Sequence, residues 1–155
     1  MSQTLRPALV LFALFTLLLG IAYPLAMTGI GQALFPNAAN GSAIVRDGQV
    51  VGSALIGQTF TRDDYFWGRP SAAGDGYNAR ASSGANLGPT SQALADRISA
   101  DAARYGVLVN RIPAELLTTS GSGLDPHISP EAAFFQARRV ADARGLSIDN
   151  VRHLI

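Results

Sequence analysis

Residues 7–35 read PALVLFALFTLLLGIAYPLAMTGIGQALF, and they decide the architecture. They lie inside a longer gap, from Arg6 to Arg46, that holds no charged side chain. About 20 apolar residues in a helix are enough to cross the hydrocarbon core of a bilayer. The stretch is therefore expected to be a membrane-spanning helix, with Leu9, Leu14, Leu18, Ile21 and Leu25 set against membrane lipid. Pro24 falls late in the span; it removes one backbone donor and is expected either to kink the helix or to be tolerated near the interface.

On the N-terminal side the tail carries the terminal amine and Arg6, and no acid. All 12 basic residues are Arg, so 11 remain from Arg46 onward, against 11 Asp plus Glu. Positive charge beside a first hydrophobic segment tends to stay in the cytoplasm. The rest of the chain has no net positive charge to hold it there. The expected topology is a single pass, N-terminus inside and C-terminal domain outside; the family resemblance given below implies a bacterial inner membrane. The competing reading is a cleaved signal peptide with residues 8–22 as its apolar core and Gly20-Ile21-Ala22 as the small-x-small site, which would release a secreted binding module. Against it, apolar character continues through Leu25, Met27, Ile30 and Leu34.

Residues 1–35 thus form tail and span, 36–42 (PNAANGS) a turn-rich connector, and 43–155 one small soluble α+β domain. A formal net charge of +1 gives no electrostatic case for nucleic acid. The chain has no Cys, which removes disulfides, thiolate metal sites and Cys nucleophiles together. With two His and no zinc-type spacing, no metal site is expected. No G-x-x-x-x-G-K-[ST] is present, and no Lys exists to contact a phosphate, so no directly bound cofactor is expected.

Asp47-Gly48 between Ala43-Ile44-Val45 and Gln49-Val50-Val51 signals a hairpin, and residues 53–57 are expected to continue a small sheet. Residues 59–67 suit a strand, or a short helix from Thr61. A long Gly, Ser and Asn loop follows over 68–89. Residues 91–105 read as a helix with Leu94, Ile98 and Tyr105 on one face and Gly106 at its end; 113–117 suit one helical turn. Ser129 as N-cap, Pro130 at N1 and Glu131 open a helix to about Arg144, with Ala133, Ala137, Val140 and Ala141 inward and Gly145 as its stop. Ser147 opens a last helix holding Val151 and Leu154.

Two loops are candidate sites. Tyr65, Phe66, Trp67 and Arg69, with Asn86 further on, combine the residue types enriched at binding hot spots, and are candidates for docking a partner; aromatics capping the domain's own core explain the same pattern. Asn78 and Asn86 are expected to fix the loop by bonding nearby backbone. In residues 120–129 (SGSGLDPHIS), Asp125, His127 and Ser129 are expected to structure the loop ahead of the helix. A membrane-tethered serine hydrolase using Ser122, Asp125 and His127 is the reading of a different class; it lacks the G-x-S-x-G form and requires the three side chains to converge.

The segments YFWGRPS (65–71), YNA (77–79), SSGANLGPTS (82–91) and SGSGLDPHISPEAA (120–133), in this order behind a single span, resemble the C subunit of the Kdp potassium-transporting ATPase, the KdpC family. The resemblance implies an accessory, non-catalytic subunit of an ATP-driven, high-affinity potassium uptake complex. The implied partners are a channel-like A subunit, a P-type ATPase B subunit and a small F subunit; ATP is implied for the complex. The family is described as a catalytic chaperone raising the ATP affinity of the B subunit. A domain outside the membrane cannot touch cytoplasmic ATP, so the two expectations conflict, and the charges decide the location. Ala85 stands where the family more often has Ser, and family members usually continue past the position of Ile155 into a β-rich end, so the resemblance implies a shortened member.

Overall fold

The structure, a computed structural model, describes residues 2–155. The apolar stretch is helical from Ser2–Leu17 (α1) through one π turn, Leu18–Ala22, into Tyr23–Leu34 (α2). Together they give one helix, Gln3–Leu34, of 32 residues, long and apolar enough to cross a membrane. Leu9, Leu14, Leu18, Ile21 and Leu25 are all exposed along it. The π turn sits directly ahead of Pro24, and the Tyr23 N–H reaches back five residues to the Leu18 carbonyl. A wide turn of this kind moves the preceding carbonyls out of register with the proline ring. Pro24 is thus absorbed at the first turn of α2, where its missing N–H matters least.

The connector is only partly turn. Pro36 opens one helical turn, Pro36–Ala39 (α3), and Asn40 bonds both the Gln32 side chain and the Pro36 carbonyl. Ala43–Arg46 (β1) and Gln49–Ser53 (β2) then form the expected hairpin. Asp47 and Gly48 both take positive φ (52° and 76°), as a two-residue turn matched to strand twist requires. The register pairs Val45 with Val50 and Ile44 with Gly52, with a bulge between Ile44 and Val45. The Ser53 hydroxyl donates to the Gly41 carbonyl and ties the hairpin back to the connector.

By its contacts the chain divides into two compact units, one ending at Ser53 and one running Ala54–Ile155. Helices and a two-stranded sheet make an α+β composition, with all sheet in the hairpin among the described residues. The expected continuation of the sheet over 53–57 does not form: β2 ends at Ser53, and Gly57 donates instead to the Leu124 carbonyl. Residues 59–67 are neither strand nor helix. Their carbonyls are taken by arginine side chains rather than by a ladder, as the site below shows.

In the second unit, Gln92–Ala103 (α4), Pro130–Arg144 (α5) and Ile148–Leu154 (α6) surround two small apolar clusters. The first joins Ala102, Ile112, Leu116, Leu117 and Ala132, with Ile98, Tyr105, Ile128 and Phe135 packed against it. The second joins Ala137, Ala141 and Val151 with Phe66 and Ile148. Alanine-lined faces let the neighbouring chain approach α5 closely on two sides. The caps are as read: Ser129 Oγ accepts from the Ala132 N–H at 3.1 Å, and Gly145 ends α5 in the left-handed region (φ 65°). One inward residue differs: Ala132 rather than Ala133 is fully buried. Val151 carries the packing of α6, and Leu154 is exposed. The expected helical turn over 113–117 is present as a 3₁₀ turn, Ala114–Leu116.

Candidate functional site

The aromatic segment lies along α5, and α5 holds its backbone. Arg139 donates to the Asp63 carbonyl (2.6 Å) and the Tyr65 carbonyl (3.2 Å), while Arg144 donates to the Asp64 carbonyl. Trp67 is 5% exposed. Its indole N–H donates to the Arg62 carbonyl, and its ring carries the guanidinium of Arg104 at 3.6 Å and that of Arg139 at 3.7 Å. Trp67 is thus part of the unit's own packing. Phe66 is half-buried in the second cluster. Tyr65 is 40% exposed, stacked on Phe60 (5.1 Å between centroids), with Arg62 and Arg144 over its ring. Of the aromatic triplet, Tyr65 is the most exposed side chain.

Arg69 sits below, where the two loops interlock. Its guanidinium donates to the Thr118 and Thr119 carbonyls and pairs with Asp125 at 3.4 Å. Ser71 Oγ donates to the Gly123 carbonyl (2.6 Å) and accepts from the Ala73 and Tyr77 N–H groups; the Tyr77 hydroxyl donates to the Arg69 carbonyl. Ser83 N–H and the Ser82 hydroxyl both donate to the Ser122 carbonyl. Gly123 lies at φ 67°, and a Cβ there would meet the Ser83 carbonyl oxygen at 2.5 Å and Ala73 N at 2.8 Å. Side chains that bond backbone therefore order the long loop over 68–89. Asn78 is one of them: its side chain accepts from the Arg80 N–H. Asn86 contributes a left-handed backbone (φ 51°) and an exposed side chain beside a cleft of about 310 Å³ that Leu94 and Arg97 also line.

Asp125 is the organiser of the second loop. Its Oδ1 accepts from the His127 N–H (3.0 Å) and bonds His127 Nδ1 (3.1 Å). The His127 N–H, then the His127 side chain and Arg69, hold this carboxyl below its ordinary range, against the opposing effect of burial. The His127 ring is 82% exposed, so Asp125, more than His127, fixes the loop. Ser129 is gripped from outside: Glu115 Oε1 accepts from both its N–H (2.7 Å) and its hydroxyl (2.6 Å). Ser122 Oγ bonds the Leu124 N–H and Ser120 Oγ, and no hydrogen bond joins it to His127 among the described residues. A relay of the hydrolase type is not assembled in this arrangement.

The residues that sequence reasoning passed over are Gln136, Arg139 and Glu115. Gln136 stands on the apolar face of α5 between Ala132 and Val140, and a lone amide on such a face signals a buried hydrogen-bond requirement. Arg139 and Glu115 leave no comparable trace, since an Arg on a helix and a Glu in a turn are ordinary surface residues. A second cleft, about 280 Å³, is lined by Arg69, Tyr77, Arg97, Asp101 and Arg104. Burial pushes the Asp101 carboxyl up, opposed by Arg97 and Arg104. Among the described residues no cluster of three or more His, Asp or Glu could hold a metal.

A single helix long and apolar enough to cross a membrane precedes the compact unit Ala54–Ile155. Residues 5–155 match the family described as K+-transporting ATPase, c chain. The chain is 60% identical over 161 residues to the potassium-transporting ATPase KdpC subunit of Caulobacter vibrioides (strain NA1000 / CB15N), covering all of this chain and 80% of the relative. It is 55% identical over 163 residues to the KdpC subunit of Rhodospirillum rubrum and 57% over 160 residues to that of Polaromonas naphthalenivorans, covering all of this chain and 82% of each. The chain belongs to the KdpC family, and is thereby a component of a potassium-transporting ATPase with a membrane location.

Proposed function

We propose that this chain is an accessory, non-catalytic subunit of an ATP-driven, high-affinity potassium uptake complex, with its N-terminus in the cytoplasm and the unit Ala54–Ile155 outside the inner membrane. The observation that carries the reading is the charge-free stretch from Pro7 to Leu34 of the helix Gln3–Leu34, preceded by Arg6 on one side and followed by a charge-balanced unit on the other. The partners are a channel-like A subunit, a P-type ATPase B subunit and a small F subunit. Tyr65, with Phe66 and Arg69 positioning its segment and Asn86 on the neighbouring loop, is the docking element toward the channel-like subunit. Asp125 and Ser129 serve that element by holding the loops. From outside the membrane, any effect on ATP affinity runs through the partner subunits and not through contact with ATP.

Purification through a tag on the channel-like subunit tests the assignment. The chain should copurify in fixed ratio, and complexes lacking it should lose potassium-stimulated ATP hydrolysis. Copurification at background level, or full activity without the chain, contradicts it.

A further inference from the structure

We infer that the cleft between α4 and the loop over 68–77 is a binding site for a small zwitterion, a neutral α-amino acid with an apolar side chain, held by Asp101 through its ammonium group and by Arg97 through its carboxylate. The site stands apart from the subunit assignment and does not involve Tyr65.

Two buried polar atoms at this cleft lack partners. Arg97 Nε and Asp101 Oδ2 are both closed off from solvent, and neither makes a hydrogen bond among the described residues. Both residues line the cleft and stand one turn apart on α4, so the unsatisfied donor and the unsatisfied acceptor share a helix face. Buried polar groups in native proteins are paired as a rule, and an exception calls for a reason. Burial also pushes the Asp101 carboxyl up, so its charged form gains from a partner. The last torsion of an aspartate side chain is broad, so Oδ2 turns toward a ligand at little cost. The facing wall carries a second exception. Tyr77 lies at φ 52°, a region that bulky side chains rarely enter. Its hydroxyl donates to the Arg69 carbonyl, and its side chain fills the space that a Cβ on Gly57 or Gly68 would take. Backbone held in such a region by its surroundings is characteristic of ligand clamps.

The charges choose the ligand. Arg69 is already engaged by Asp125 and by the Thr118 and Thr119 carbonyls. The remaining charges on the lining are Arg97 and Arg104 against Asp75 and Asp101. A simple anion or cation meets as much repulsion as attraction there, whereas a ligand carrying both signs finds a partner for each. The unpaired acceptor asks for an N–H donor, which an ammonium supplies, and the unpaired N–H asks for an oxygen, which a carboxylate supplies. A volume of about 280 Å³ lies at the lower end for ligand clefts, which limits the occupant to a small molecule. Phe60 and Tyr105 add apolar ring surface to the same lining, which suits an aliphatic side chain rather than a third charge.

Calorimetric titration of L-leucine into the full chain in detergent micelles tests the site. Binding should saturate, with a dissociation constant of about 1 mM or tighter. L-Leucine amide, which lacks the carboxylate, and isocaproate, which lacks the ammonium, should each bind at least about tenfold more weakly, since each leaves a charged group of the cleft unpaired. Asp101→Asn should weaken L-leucine binding by a similar factor. The same variant should keep or raise the melting temperature at neutral pH, because it removes a charge that burial disfavours. Absence of saturable heat up to about 10 mM L-leucine overturns the proposal. Equal affinity for the three ligands, or undiminished binding by Asp101→Asn, overturns it as well. If Asp101→Asn fails to fold, the comparison of the three ligands on the unsubstituted chain decides alone.

Discussion

Gln136 and the backbone of Trp67 exchange two hydrogen bonds: the Trp67 N–H donates to Oε1 at 2.8 Å, and Nε2 donates to the Trp67 carbonyl at 3.0 Å. A side-chain amide thus does for an irregular segment what a neighbouring strand would do in a sheet. Gln136 is almost fully buried, so neither partner has recourse to water. Gln136→Leu keeps the volume and leaves a buried N–H and C=O unsatisfied, at about 1–3 kcal/mol each. Urea denaturation should show a loss of about 2–6 kcal/mol. A loss under 0.5 kcal/mol would mean that the segment is held by other contacts.

Trp67 and Tyr65 should separate packing from docking. Trp67→Ala empties a core position and should cost about 3–5 kcal/mol. Tyr65→Ala, at an exposed position, should change the melting curve little while weakening retention of the chain in the complex. Thermal melting and copurification, measured side by side, check both. Normal stability in Trp67→Ala, or normal retention in Tyr65→Ala, contradicts the corresponding role.

The interlocked loops predict an intolerant position at Gly123. Its positive φ and the short approach of the Ser83 carbonyl leave no room for a methyl group. Gly123→Ala should destabilise the chain by more than the 1 kcal/mol or so expected of a helix glycine change, whereas Gly88→Ala, with open space around it, should be nearly silent. Equal melting temperatures for the two variants would count against the loop junction.

Asp125 gives the unit an acid-side dependence of definite sign. Its folded carboxyl titrates below the ordinary value, so in mild acid the unfolded chain binds the proton first. Its contribution is complete above the unfolded value of about 3.9 and is lost as pH falls through the lowered folded value. Asp125→Asn should be less stable than the parent at neutral pH, with the gap closing in strong acid. His127→Ala, at an exposed ring, should cost no more than about 0.5 kcal/mol. Denaturation midpoints across the acid range test both; a constant gap for Asp125→Asn, or a larger loss for His127→Ala than for Asp125→Ala, reverses the assignment of the organising residue.

Features with a local cause were readable from the sequence. The absence of charge between Arg6 and Arg46 gives the helix, Asp47-Gly48 the hairpin, and Ser129-Pro130 with Gly145 the limits of α5, because each depends on residues within a turn or two. The path of residues 59–67 was not readable. It is set by Gln136, Arg139 and Arg144, some 70 to 80 positions away in sequence, reaching backbone carbonyls. The aromatic triplet was legible as important but not as divided, since burial of Trp67 and exposure of Tyr65 follow from which side meets α5. Asp125 and Ser129 were found by motif, and Glu115 was not, because its bond to Ser129 spans two elements.

The side of the membrane on which the unit Ala54–Ile155 lies bears most directly on the whole account. Alkaline phosphatase, which folds only outside the cytoplasm, fused after Ile155 in the full chain, reads it without purification. The account predicts high phosphatase activity, and no fluorescence above background from a cytoplasm-dependent reporter at the same position. An inactive phosphatase with a fluorescent cytoplasmic reporter would place the unit inside, contradict the charge argument, and return direct contact with ATP to consideration.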